Sequence, residues 1–160
     1  MNHAITFRPI GPDDEPFLYR VYASTRTEEL APLDWDAAQK EAFLRMQFNA
    51  QHRYYQEQFP DASFQIILAD NRPVGRLYVQ RCPEELHVID VALLPEHRRA
   101  SIGSALLNDL LAEADQAGLP VRIYVERFNP ALHLYHRLGF TVIGDSGVYY
   151  HMERAPGARP

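Results

Sequence analysis

Two adjacent arginines, Arg98 and Arg99, stand just ahead of a run of small residues, Ala100, Ser101, Gly103, Ser104 and Ala105. A strand ending, a basic loop and a helix start follow one another here, and that order suits phosphate binding. The first turn of a helix leaves N–H groups without partners and carries the positive end of the dipole. Small side chains let an anion approach those groups, and the arginines add formal charge. The same residues would also serve close packing of a helix on a strand, with a solvated loop before it. The Gly-x4-Gly-Lys-Ser/Thr pattern of a P-loop is absent, as is the full Gly-x-Gly-x-x-Gly of dinucleotide sites.

A second chemical signal lies just upstream, where His87 and Asp90 interrupt an apolar run from Leu86 to Leu93. A histidine of ordinary pKa suits a base at neutral pH. An aspartate in such a run needs a buried partner, which favours a structural role for it. An odd separation puts the two on opposite faces of a regular strand. The single cysteine, Cys82, excludes an internal disulfide and a cysteine-based metal cluster. His3, His97, His133, His136 and His151 show no metal-ligand spacing, so no metal is expected.

The elements that must position these groups follow from periodicity. Ile5 to Ile10 reads as a strand, and Gly11-Pro12-Asp13 starts a helix carrying Phe17, Leu18, Val21 and Tyr22. A second helix runs from a cap at Asp34 to about Phe59, with a stripe of Trp35, Ala38, Ala42, Met46 and Ala50. Ser63 to Ala69, Val74 to Gln80 and Leu86 to Leu93 form an antiparallel meander, their connections being too short for crossovers. Ile102 to Ala117 is a helix stopped by Gly118. It is followed by a strand at Val121 to Val125, parallel to its predecessor if the helix is a crossover. Asn129-Pro130 opens another helix, and Phe140 to Ile143 and Val148 to Met152 close the chain as strands.

The whole is one domain over residues 1–154, with 155–160 as a loose tail rich in Pro, Gly and Ala. With 160 residues, 46% of them apolar, the chain can build a real core. A net charge of −5 speaks against a general nucleic-acid partner, though not against a local basic pocket. Apolar stretches fall short of the roughly 20 residues that cross a bilayer, and the start lacks the apolar run of a secretory signal. The expectation is a cytoplasmic protein without a membrane partner.

Leu93-x-Pro95-Glu96-His97-Arg98-x-x-Ser101-Ile102-Gly103-Ser104-Ala105-Leu106-Leu107 resembles the acetyl-CoA signature of the GNAT superfamily of N-acetyltransferases, Arg/Gln-x-x-Gly-x-Gly/Ala at the start of the central helix. Downstream, Asn129-Pro130-Ala131-Leu132-His133-Leu134-Tyr135-His136-Arg137-Leu138-Gly139-Phe140 is similar to that family's Asn-x-x-Ala-x-x-Leu-Tyr-x-x-x-Gly-Phe segment. The likeness covers roughly residues 63–154. It departs at Ser101, where the signature has its first glycine, and at Arg99-Ala100. Serine caps helices well, so the amide cradle can survive the change.

The resemblance implies a mixed α/β (α+β) fold. Its twisted sheet would have six to seven mostly antiparallel strands, opened at the two central ones, with about four helices. It implies an acyltransferase moving an acetyl group from acetyl-CoA to a primary amine by direct transfer. A non-catalytic acyl-CoA sensor and a different acyl-CoA donor are the alternatives. The backbone of Val91 and Leu93 would meet the acetyl and pantetheine groups. The pyrophosphate would lie on Arg98, Arg99, Ala100, Ser101, Ile102, Gly103 and Ser104, and Asn129 would cap first and touch the cofactor second. Tyr135 matches the family's general acid, which protonates the leaving thiolate. His87 stands where some members carry the base; Asp90, Glu126 or water are the other candidates. Cys82, away from both motifs, is no nucleophile. The acceptor would meet the first two helices, around Glu28, Glu29, Trp35, His52, Tyr54 and Tyr55. Dimers are common in the family, so a homodimer is compatible with the sequence.

Overall fold

The computed structural model describes residues 4–98 and 101–158. Seven strands form one sheet in the order β1-β2-β3-β4-β5-β7-β6. They are β1 (Ile5–Pro9), β2 (Ser63–Ala69), β3 (Arg72–Arg81), β4 (Leu86–Leu93), β5 (Val121–Glu126), β6 (Thr141–Asp145) and β7 (Tyr149–Arg154). Five α-helices lie among the described residues: α1 (Glu15–Ser24), α2 (Thr27–Leu30), α3 (Ala37–Gln58), α4 (Ile102–Ala117) and α5 (Leu132–Arg137). Every neighbouring pair of strands is antiparallel except β4 and β5. The long crossover through α4 is what lets that one pair run parallel.

Two cores divide the sheet's faces. On one, α4 buries Ile102, Leu106, Leu107, Leu110, Leu111 and Ala114 against Leu77, Val79, Leu86, Val88 and Leu93, and Tyr135 joins them. On the other, Leu18 and Tyr22 of α1 and Phe48 of α3 meet Ile66 and Tyr78. The apolar i, i+4, i+8 spacing in α4 makes its stripe, and Gly118 ends it in the left-handed conformation at φ 69°.

Several expectations are corrected. The α3 stripe of Trp35, Ala38, Ala42, Met46 and Ala50 faces solvent, and the packed side is Leu44, Phe48 and Tyr55. Alanines bury little area, so the row with the larger side chains gains more from facing the core. The cap of α3 is Asp36 rather than Asp34: its carboxylate accepts from Gln39 N at 2.8 Å while Gln39 Oε1 accepts from Asp36 N at 2.9 Å. The α5 helix begins at Leu132, two residues beyond Pro130; Asn129 Oδ1 accepts from Ala131 N at 2.9 Å in the preceding turn. Residues 155–158, read from the sequence as part of a loose tail, carry bonds of their own: Gly157 N donates to Asp115 Oδ1 at 2.7 Å and Arg154 to Ala158 O at 2.9 Å.

The most consequential difference lies in β4. The β3–β4 register pairs Tyr78 with Asp90 and Val79 with Val88, so Ile89 is an extra residue in a bulge. Leu86 and Val88 face the α4 core before it, and Val91 and Leu93 face the same core after it. His87 and Asp90 are therefore on one face, not on opposite faces. Downstream of the bulge β4 also leaves β5: the two pair only at Leu86–Val121, His87–Arg122 and Val88–Ile123.

Candidate active site

The parting of β4 and β5 opens a cavity of about 700 Å³. Ile89 to Ala92 form one wall and Ile123 to Glu126 the other. Glu28 and Glu29 of α2, Gln51 and Tyr55 of α3, and the turn from Gly147 to Tyr149 complete its lining. Asn129, Pro130 and Tyr135 stand beyond the end of β5.

Tyr135 is 4% exposed, its ring edge-on to Phe140 at 5.6 Å between centroids. Burial, helped by the negative charge of Asp90, pushes its phenol well above the ordinary value. Asp90 accepts from Arg76, whose guanidinium is buried and also donates to Gln51 Oε1 at 3.0 Å. This is the partner that an aspartate in an apolar strand requires. Near the mouth, Arg26 reaches across from the α1–α2 junction to Glu126 at 2.5 Å and Glu29 at 3.3 Å.

The structure gathers some of the residues singled out in the sequence and separates others. Val91, Asn129, Tyr135, Asp90 and Glu126 line the cavity, as do Glu28, Glu29 and Tyr55. His87 is outside that lining. It packs edge-on between Phe59 at 5.5 Å and Tyr124 at 6.1 Å, and burial holds its pKa below the ordinary histidine value. Trp35 packs on Phe43, His52 stacks on Phe48, and Tyr54 is exposed, none of them on the cavity. Arg98 is tied into the fold: Nε donates to the Leu93 carbonyl at 3.0 Å and Nη2 to Ser24 Oγ at 3.2 Å. Arg99 and Ala100 lie outside the described residues. Ile102 is buried in the core, and Gly103 and Ser104 stand in the first turn of α4. Cys82 is half-buried beside Glu85 and Arg122, away from this cavity. Arg76, Gln51, Arg26, Tyr22 and Tyr149 are lining residues that sequence reasoning did not single out. Arg76 left a signal, a charge between Gly75 and Leu77 in an apolar strand.

Ser101 holds the left-handed conformation, φ 61° and ψ 12°, and its side chain makes no capping bond. The expected hydroxyl cap is therefore absent, and what the position demands is a backbone hand that glycine adopts freely. A non-glycine residue there costs about 1–2 kcal/mol. Ser101→Gly should raise the melting temperature by about 2 °C, the net of that relief and glycine's greater unfolded-state entropy. Thermal unfolding checks it, and a lowered Tm would overturn it.

Among the described residues no group of three or more His, Cys, Asp and Glu is placed to hold a metal ion, and no helix is long and apolar enough to cross a membrane.

The acetyltransferase (GNAT) family model matches residues 27–140, more than half of the chain. Solved structures share the fold. PaiA N-acetyltransferase from Thermoplasma acidophilum, in complex with coenzyme A, is 21% identical with a TM-score of 0.70, over 95% of this chain and 99% of that one. Ard1 from Thermoplasma volcanium is 22% identical with a TM-score of 0.63, over 95% and 97%. An acetyltransferase from Thermus thermophilus is 21% identical with a TM-score of 0.66, over 94% and 96%. No curated protein matches the sequence.

Proposed function

Because the chain belongs to the acetyltransferase (GNAT) family, we propose that it transfers an acetyl group from acetyl-CoA to a primary amine directly, with both substrates bound at once. The observation that carries this reading is the cavity where β4 and β5 part, with Tyr135 beside it. Strand edges freed of each other offer backbone groups to a pantetheine arm along Val91 and Leu93. The left-handed Ser101 and small residues Gly103 and Ser104 suit a phosphate at the head of α4.

In the reaction a neutral amine attacks the thioester carbonyl; the C–N bond forms and the C–S bond breaks. Tyr135 donates its phenolic proton to the departing thiolate, and its raised pKa keeps that proton in place until then. The amine's own proton leaves through water in the open cavity, and a proton returned from water restores the Tyr135 phenol for the next turnover. His87, neutral at pH 7 by its lowered pKa, takes that proton only by way of water, since it lies behind Tyr124.

Calorimetric titration with acetyl-CoA, followed by a consumption assay over small amines, amino acids and peptide N-termini, tests the reading. Binding with turnover of at least one amine class is the expected result. Tight binding without turnover would leave a sensor, and no binding would overturn the reading.

A further inference from the structure

The cavity floor holds an ion pair that the fold alone does not account for. Arg76 is 3% exposed, on a strand whose neighbours Val74, Leu77, Tyr78 and Val79 are buried and uncharged, and its guanidinium lies 5.1 Å from the Tyr78 ring centroid. Taking a guanidinium and a carboxylate out of water is costly, and apolar side chains of like volume often serve stability as well or better. What the pair does achieve is placement. The Ile89 bulge turns Asp90 to the cavity, Arg76 engages its Oδ2, and Gln51 braces Arg76 from α3, 25 residues away in sequence. The other carboxylate oxygen, Oδ1, has no hydrogen bond among the described residues. Asp90 and Tyr135 thus line one cavity.

We propose that Asp90 holds the acceptor amine, taking an N–H bond on Oδ1 and so aiming the nitrogen lone pair at the thioester, and that Arg76 and Gln51 are positioning residues that fix its carboxylate. The assignment rests on the acetyl-transfer reading. Asp90 accepts a hydrogen bond and forms no covalent bond; the proton released on C–N formation still goes to water.

The test is steady-state kinetics on the full chain, with acetyl-CoA and the amine that the wild type turns over fastest. A hydrogen bond to a charged group is worth about 10–100-fold, so Asp90→Asn should lower the acceptor's kcat/KM by about that factor, mostly through KM. Calorimetric binding of coenzyme A should change less than about twofold, because uniform damage to the fold would weaken both ligands. Gln51→Leu, which spares the ion pair, should lower the acceptor's kcat/KM by about 3–10-fold with coenzyme A binding again unchanged. Acceptor kinetics untouched by Asp90→Asn, or a parallel loss of coenzyme A binding, overturns the inference. Should Asp90→Asn fail to fold, Gln51→Leu decides by the same two readouts. A wild type that binds coenzyme A and acetylates no amine overturns the acetyl-transfer reading and this inference with it; turnover that both variants leave intact overturns this inference alone.

Discussion

Tyr135→Phe lowers turnover by about 10²–10³-fold while the dissociation constant for acetyl-CoA stays within about twofold. The change removes only the hydroxyl. The ring keeps its place on α5, buried and edge-on to Phe140, so the walls of the cavity stay where they are. Removing one hydroxyl shifts stability by about 1 kcal/mol at most, which thermal unfolding separates from a catalytic defect. The pH dependence supplies a second readout. Burial first, and the Asp90 charge second, hold the phenol above its ordinary value near 10. The phenol therefore keeps its proton across the neutral and mildly alkaline range, and wild-type turnover should not decline on its account as pH rises toward 10. Any stability drawn from the neutral phenol is likewise present below 10 and lost only above it. Turnover equal to wild type with every acceptor, or a loss confined to acetyl-CoA binding, would remove Tyr135 from the role of acid.

How much of this could be read from the chain depends on the kind of signal. The meander from Ser63 to Leu93 and the helix from Ile102 to Ala117 are written in periodicity and breakers, and they stand where the pattern puts them. On α3 the alanine spacing mimics a buried stripe while contributing little buried area; Leu44, Phe48 and Tyr55 outweigh it. The β4 bulge leaves no mark at all. Ile89 is apolar and suits either face, so counting residues between His87 and Asp90 assumed a regularity the strand does not have. Arg76 is visible as a charge in an apolar strand, but its partner is identified only by the cross-strand register beside that bulge. At Ser101 the departure from glycine was visible in the sequence, but the hand of the backbone was not. A residue type tells which conformations are cheap, and only the surrounding fold tells which one is imposed.

Gly75→Ala is the substitution with the largest expected cost to the fold, and it bears on the site. Gly75 on β3 faces Leu93 on β4 in the register. A Cβ added there would lie 2.3 Å from the Ala92 carbonyl oxygen, 2.8 Å from Leu93 Cδ2 and 3.0 Å from Leu93 Cα. Two of those atoms are backbone, so no rotamer change relieves the clash; β3 and β4 must move apart. Overpacking of this kind costs typically about 1–3 kcal/mol, and a backbone obstacle belongs at the upper end. About 3 kcal/mol lowers the melting temperature of a chain this size by roughly 6–12 °C. The displaced segment includes Ala92, where β4 borders the cavity, so acetyl-CoA affinity should fall as well. Gly103→Ala provides the contrast. Its new Cβ meets only Leu93 Cδ1 at 3.6 Å, an ordinary contact, and it lies inside α4. There alanine should stabilise by about 0.5–1 kcal/mol through helix propensity. The two variants add the same methyl group to opposite sides of Leu93, one through the sheet and one through the helix. Opposite shifts in Tm are the outcome expected if the spacing of β3 and β4 sets the cleft wall, the loss of acetyl-CoA affinity being read on Gly75→Ala alone because Gly103 stands in the proposed phosphate site. Equal Tm values for Gly75→Ala and the wild type would show that the strands yield without cost, and that glycine at 75 is not what holds the cleft wall in place.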